Sequence, residues 1–358
     1  MAFSRRMFLG AAASGAAELV AQQQQQQPPP GFEVKSRLVL VPVNVTDQKG
    51  RNVEGLGADD FVILDNNRSH PATVDSTITA GSPIALAVAV QSSGISSAAL
   101  AHIRKIGAMI PPLLTGERGC ASLVDFAAHV RWRQECTASA EALSRAFASV
   151  GTGEPRTGRL LDAVDEAVER LRKRTNMRRV LFLISEARDR GSKAALGDVL
   201  TNAQLAGVTI YAATYSAFQT ALIAKPGDNE PPPIPQPPPW VPRGVPGEPP
   251  GRERVPIPPI EQRGDILGGL GELKQAGKVN AAKALAHGTG GLVYSFARQK
   301  GVEDAIEKLG AELHTQYILA FTPRSLEPGY HRLDVRLKRP GSYRIRSRPG
   351  YWMTGAEQ

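Results

Sequence analysis

An unbroken apolar run that ends at a polar turn constrains the fold of this chain more than any other feature. Residues Ile84 to Val90 are all apolar, and they are followed by Gln91 and the turn Ser92-Ser-Gly94. A continuous apolar stretch of strand length, bounded by turn residues, is typical of a parallel strand buried on both faces. Ligands of doubly wound sheets bind at the carboxyl ends of such strands. We therefore predict a functional site beside Gln91.

Strands and helices alternate over residues 81–315, which indicates a doubly wound, mostly parallel α/β sheet. The six predicted strands are 84–91, 119–126, 129–135, 179–185, 208–215 and 291–296. The predicted helices are 98–114, 138–149, 160–174, 193–206, 271–287 and 302–314. The second and third strands follow each other without a helix, so we expect them to form a hairpin at one edge of the sheet.

The two ends of the chain carry a different pattern, with short alternating strands between Pro/Gly turns. These segments are 32–80 and 316–358, and they contain the strand patterns 34–45, 60–65, 316–321, 330–338 and 343–347. We predict that both ends together form one small β-sandwich.

The turn after the first strand of the predicted α/β sheet resembles the D-x-S-x-S loop of von Willebrand factor type A domains. In that family the loop's carboxylate and two hydroxyls hold a magnesium ion, which a carboxylate of the partner completes. Here Gln91 stands at the Asp position, Ser93 at the first Ser and Ile95 at the second. The flanking segments Leu38–Asp47 and Gln316–Pro323 are similar to those of VWFA-related proteins common in Acidobacteria, most of which have no known role.

The resemblance implies two further metal-site loops, and both depart from the family pattern. The second loop offers Thr157, but Gly158 aligns with the family's Thr, and the third loop has Glu186 in place of Asp, with Arg188 nearby. Magnesium requires an octahedral shell of oxygen ligands. We therefore expect a degenerate metal-ion-dependent adhesion site with no bound cofactor.

The residues left at these three loops define the candidate ligand-binding surface, which we expect to be polar and free of metal. They are Gln91, Ser93, Thr157 and Glu186. Two alternatives stay open: the loops simply close the top of the sheet, or Asp162, Asp189 or a partner's side chain restores a non-standard metal site.

The first residues resemble a twin-arginine export signal. Ser4-Arg-Arg-Met-Phe-Leu-Gly10 precedes a weakly apolar stretch that is too short to span a bilayer. We predict a signal peptide at 1–21, a Gln/Pro-rich linker at 22–31, and a periplasmic or secreted mature protein without a membrane span. The alternative is an ordinary basic start of a protein that is not exported.

The chain has two cysteines, Cys120 and Cys136, on either side of a strand-turn-strand pattern. If the turn centres near Ala128, antiparallel pairing brings the cysteines almost opposite each other. In an oxidising compartment such a pair forms a disulfide. The alternative is two free thiols.

The formal net charge of +9 favours anionic envelope polymers or lipid surfaces as partners of an exported chain, and nucleic acid is not expected. A proline-rich stretch at 225–260 interrupts the α/β pattern, and we predict an extended surface loop there.

No catalytic motif is present. The six histidines are scattered without metal-ligand spacing, and no G-x-S-x-G sequence occurs. We therefore expect a non-catalytic exported binding or scaffolding protein that contacts a protein or an envelope polymer. The alternatives are an assembly or maturation factor for an exported metalloenzyme, and a metal-dependent adhesion module with a non-standard site.

Overall fold

The computed structural model of the protein describes residues 38–74, 82–93, 97–152, 157–186, 188–215, 280–296 and 301–353. The predicted signal peptide (1–21), linker (22–31) and proline-rich loop (225–260) lie outside these residues, as do Ile95 and the start of the predicted helix 271–287.

The strands are β1 (Val39–Thr46), β2 (Phe61–Asp65), β3 (Arg68–Pro71), β4 (Thr73–Val74), β5 (Ile84–Gln91), β6 (Cys120–Phe126), β7 (Val130–Thr137), β8 (Arg178–Ser185), β9 (Val208–Tyr215), β10 (Val293–Phe296), β11 (Tyr317–Phe321), β12 (Gly329–Leu337), β13 (Arg344–Arg346) and β14 (Gly350–Met353). The α-helices are α1 (Ser97–Ile103), α2 (Ala140–Ala148), α3 (Leu160–Arg172), α4 (Leu196–Leu205), α5 (Ala281–Thr289) and α6 (Gly301–Thr315). Within the described ranges, no helix combines the length and apolar composition needed to cross a membrane.

The central sheet has six strands in the order β10-β9-β8-β5-β6-β7. All neighbouring strands are parallel except β6 and β7, which form the expected hairpin. The predicted doubly wound, mostly parallel sheet is therefore confirmed.

Strand β5 lies inside this sheet, and every one of its residues is buried. Because side chains alternate between the faces of a strand, its larger residues and its alanines separate. Leu86, Val88 and Val90 belong to the core on one face, whereas Ala85 and Ala89 belong to the core on the other, which includes α3.

The predicted helix 98–114 is divided into three pieces. Helix α1 ends at Ile103, a 3₁₀ turn covers Ile106–Met109, and a single π turn covers Pro111–Thr115. Two adjacent prolines, Pro111 and Pro112, lack the amide hydrogens that an α-helix needs, so a continuous helix cannot form there.

The chain ends form two four-stranded sheets, in the orders β13-β1-β11-β4 and β14-β12-β2-β3. Both sheets contribute to one core, with Val41 and Val43 from β1 facing Phe61 and Ile63 from β2 and Val335 from β12. The β-sandwich predicted from the two ends of the chain is confirmed. Strands β3, β4 and β14 were not among the predicted strand patterns.

A buried polar cluster joins the central sheet to the sandwich. The Arg178 guanidinium donates to the Leu313 carbonyl at 2.8 Å and to Gln316 Oε1 at 2.6 Å. Gln316 Nε2 in turn donates to Asn44 Oδ1 at 2.9 Å and to the Tyr211 hydroxyl at 3.2 Å. One side chain therefore connects β8 and β9 of the central sheet with β1 of the sandwich.

The β6–β7 hairpin pairs Phe126 with Val130, which centres its turn on Ala128. The structure contains a disulfide between Cys120 and Cys136, with their Cα atoms 5.3 Å apart. This bond closes the open end of the hairpin at the edge of the central sheet.

We predict that Gln316→Leu lowers the free energy of unfolding by about 2–4 kcal/mol, because Arg178 and Asn44 each lose a buried hydrogen-bond partner. Urea denaturation measures the change. Gln134→Leu is the control, since the Gln134 amide bonds only to the neighbouring Glu135 carbonyl at 3.1 Å among the contacts described. Equal losses in both variants would contradict a special role of Gln316.

Candidate functional site

The carboxyl edge of the central sheet brings the four predicted residues together. Gln91 ends β5, Glu186 directly follows β8, and Ser93 and Thr157 lie in the loops above these strands. Gln91, Ser93 and Glu186 are buried, and Thr157 is half-buried. The cluster is connected by hydrogen bonds, and Thr157 takes part through its carbonyl oxygen, which accepts from the Ser93 hydroxyl.

The Gln91 side chain bonds within its own turn and to the loop after β8. Its Oε1 accepts from the Glu186 backbone N–H at 3.0 Å, while its Nε2 lies 3.3 Å from the Ser93 carbonyl and 3.4 Å from Ser93 Oγ. Its backbone carbonyl accepts from the Tyr215 hydroxyl at 3.4 Å. The neutral amide of Gln91 therefore joins its own turn to the loop after β8, and the Ser93 hydroxyl extends the cluster to the Thr157 carbonyl.

Gly158 leaves the space that this amide occupies. A Cβ atom added at Gly158 would lie 3.0 Å from Gln91 Nε2 and 3.7 Å from Ser93 Oγ. The backbone of Gly158 is also fixed, because it exchanges hydrogen bonds of 3.0 and 2.9 Å with Arg190. The two departures from the family pattern at positions 91 and 158 are thus in contact with each other.

Glu186 is the acidic group of the cluster, and it pairs with a cation. Its Oε2 lies 3.2 Å from the guanidinium of Arg190, whereas Arg188, which the sequence left as a possible neighbour of the site, is exposed. Burial, followed by the negative charge of Glu186, raises the pKa of Tyr215. The Tyr215 phenol therefore stays protonated at neutral pH and donates to Gln91.

This set of donors does not fit a magnesium ion. Gln91 supplies a neutral amide whose nitrogen is a donor, Ser93 Oγ accepts from that nitrogen, and Glu186, the acidic group of the cluster, is paired with Arg190. One buried hydroxyl nearby, that of Ser185, lacks a hydrogen-bond partner among the residues with coordinates, but one oxygen does not make an octahedral shell. In the part of the chain that the structure describes, no three His, Cys, Asp or Glu side chains are grouped as metal ligands.

The two aspartates considered as replacement ligands hold the loop after β8 against α3. Asp189 Oδ1 accepts from the Leu161 N–H at 3.1 Å and from the Ser192 hydroxyl at 2.6 Å. Asp162 Oδ1 accepts from the N–H groups of Lys193 and Ala194, both at 2.9 Å. Both carboxylates thus satisfy backbone donors around a helix start.

Asp125 is a buried group at this edge that the sequence reasoning missed. It lies in β6, pairs with Arg131 at 2.9 Å and with Arg133, and accepts from the Ser92 hydroxyl at 3.3 Å. A charged residue inside the apolar stretch Ala121-Ser-Leu-Val-Asp-Phe126, opposite alternating arginines, was the available signal. Buried charges in proteins are paired.

Three cations near the edge are exposed. We define the cationic rim as Arg188, Arg190 and Lys193, all of which are exposed. Below them Asp125 and Glu186 are buried. Beside the rim, Lys193 shares a depression with Asp162, Asp165 and Glu166, so Arg188 and Arg190 make its more cationic part.

Among comparisons with known proteins, only the one with solved structures gives matches. No family model matches the chain, and neither does any curated protein sequence. Similar structures include BatB from Bacteroides thetaiotaomicron (11% identity, 64% of this chain and 98% of that chain, TM-score 0.38). They also include the vWF domain of the pilus tip protein Mfa5 from Porphyromonas gingivalis (14% identity, 31% of this chain and 40% of that chain, TM-score 0.27). A third is the mussel byssus protein PTMP1 with a zinc-occupied MIDAS motif (10% identity, 69% of this chain and 48% of that chain, TM-score 0.41).

Structures with von Willebrand type A domains are thus among those that this chain resembles. Their identities and TM-scores are too low to carry an argument about function. The assignment to the α/β class rests on the strand order of the chain itself.

We predict that Gly158→Ala lowers the free energy of unfolding by about 1–2 kcal/mol, because its Cβ meets the fixed amide of Gln91. In a Gln91→Ala background the cost of the same substitution falls by at least half, since the colliding atoms are gone. Urea denaturation of the four proteins in this cycle measures the coupling.

Gly151→Ala is the control for the cycle, because a Cβ there has no heavy atom within 4 Å. If Gly158→Ala costs the same in both backgrounds, the contact with Gln91 does not explain the glycine.

Proposed function

We propose that this protein is an exported, non-catalytic binding module whose carboxyl edge docks an anionic protein surface or envelope polymer without a divalent metal. The observation that carries the proposal is the position of Gln91, whose amide connects the loops around it. A metal would have to displace these bonds before it could bind.

The architecture of the edge supports binding without metal. In metal-dependent adhesion the ion both orders the loops and attracts a carboxylate of the partner. Here hydrogen bonds between Gln91, Glu186, Ser93 and Thr157 order the loops. The cationic rim supplies the attraction for an acidic partner, and such charges act mainly on encounter and specificity.

Two features support an exported protein. The Ser4–Gly10 segment has the twin-arginine pattern. The Cys120–Cys136 disulfide is of the kind that persists in oxidising compartments such as the periplasm.

Binding to two anionic polymers, poly-L-glutamate and alginate, tests the proposal with the mature chain on a biosensor. We expect the dissociation constant to be the same in EDTA and in magnesium, and to rise steeply with salt because the contact is electrostatic. Magnesium added alone in a calorimetric titration is expected to give no binding heat at micromolar concentrations.

Charge reversal locates the binding surface. We predict that Arg188→Glu with Lys193→Glu weakens polymer binding about tenfold, an effect of roughly 1.4 kcal/mol. The matched control is Lys338→Glu with Arg339→Glu, which makes the same change in net charge at exposed positions after β12.

Equal weakening in both pairs would show that only the overall charge matters, and it would exclude docking at the rim. Binding that needs magnesium would instead favour a metal-dependent adhesion module.

A further inference from the structure

A cavity of about 360 Å³ lies at the amino edge of the central sheet, where the sheet meets the sandwich. The starts of β8 and β9 form one side, and residues of β1 and β11 form the other. This is the sheet edge opposite the carboxyl edge described above, because the amino ends of parallel strands lie together. Its volume is in the range of small-molecule sites, about 300–1,000 Å³.

Three arginines line this cavity: Arg178, Arg179 and Arg348. None of the described residues that line it is an aspartate or a glutamate. Arg178 and Arg348 are buried, with only 6% and 8% of their surface exposed. The lining is thus positively charged and largely withdrawn from water.

The partners of these arginines are neutral. Arg178 donates to the Leu313 carbonyl and the Gln316 amide. Arg179 donates to the carbonyls of Arg174 and Ala206, at 2.9 and 2.7 Å.

Arg348 is the least satisfied of the three arginines. Its Nε is buried without a hydrogen-bond partner in the described part of the chain, and its guanidinium carbon lies 5.7 Å from the ring centre of Tyr351. Burial lowers the pKa of Arg348 to about 10, and it also lowers the pKa of Arg178 and Arg179. Buried cations are normally paired with an anion.

The other lining residues indicate which further chemical groups such an anion has. Leu40, Val180, Val208 and Ile318 supply apolar surface. Gln204 is buried, and its Oε1 has no hydrogen-bond partner among the described atoms, so it is available to a hydroxyl or to water.

Thr175 and Asn176 line the cavity and are both exposed, so this part of the lining reaches the surface. Asn176 adopts φ 57°, a left-handed conformation that asparagine tolerates better than most residues.

We propose that this cavity is a binding site for a small organic anion, with a carboxylate or phosphate group against Arg348 and an apolar body against β1 and β11. The site is separate from the carboxyl edge, so a test of this proposal does not depend on the docking function proposed above.

Four probes separate the charge of the ligand from its body: hexanoate, hexyl phosphate, 1-hexanol and inorganic phosphate. Calorimetry and thermal unfolding of the mature wild-type chain compare them. At least one of the two hexyl anions is expected to bind about tenfold more tightly than both hexanol and inorganic phosphate. Which of the two binds better identifies the head group.

Arg348→Met is expected to weaken binding of the preferred anion at least about tenfold. Without ligand the variant is expected to unfold at the same or a higher temperature than the wild type, because a desolvated cation has been removed. A residue needed only for stability would have the opposite effect. Arg344→Met, at an exposed position of β13, is the control and should bind like the wild type.

If Arg348→Met does not fold, Arg348→Gln replaces it. The proposal is overturned if hexanol binds the wild-type chain as tightly as both anions, a result that needs no variant. It is also overturned if a folded Arg348 variant keeps the affinity of the wild type.

Discussion

The hydrogen bonds of Gln316 join the two halves of the fold, beside a second link from Arg346 of β13 to Glu312 of α6. Its amide lies between Arg178 of the central sheet and Asn44 of the sandwich, and each of the three residues is buried. Donor and acceptor ends of one amide thus satisfy partners in two different sheets. Such a contact fixes geometry more than it adds stability, because buried polar groups are costly when they lose a partner. The cavity beside Gln316 owes its shape to the same geometry.

At the other end of the sheet, the amide of Gln91 joins its own turn to the loop after β8. A cation gathers oxygen ligands from several loops, whereas an amide offers both a donor and an acceptor. Gln91 uses both, with its oxygen toward the Glu186 N–H and its nitrogen toward Ser93. The glutamine needs room, which Gly158 provides. The packing of this one side chain therefore explains the glycine at position 158.

Features that depend on long sequence patterns, such as the central sheet, could be predicted from the sequence. The apolar run of β5 and the alternation after it predict the sheet, and the four residues of the candidate site follow from the resemblance of three loops to the type A family. The amino-edge cavity was not predictable, because Arg178, Gln204 and Arg348 come from distant segments and read as ordinary surface or helix residues. The adjacent prolines at 111 and 112 indicate a break, whereas the helical period of residues 98–114 predicts one continuous helix. The structure has the break.

The sandwich has a consequence for the order in which the chain folds. Thr73 of β4 pairs with Ala320 of β11, so closing this sheet joins positions 247 residues apart. Closing so long a loop in an unfolded chain is entropically costly, and a compact segment between the two positions reduces that cost. The central α/β sheet is such a segment, made of more local connections. If this sheet folds early, it brings β4 and β11 together. The sandwich then forms last, on a core that already exists.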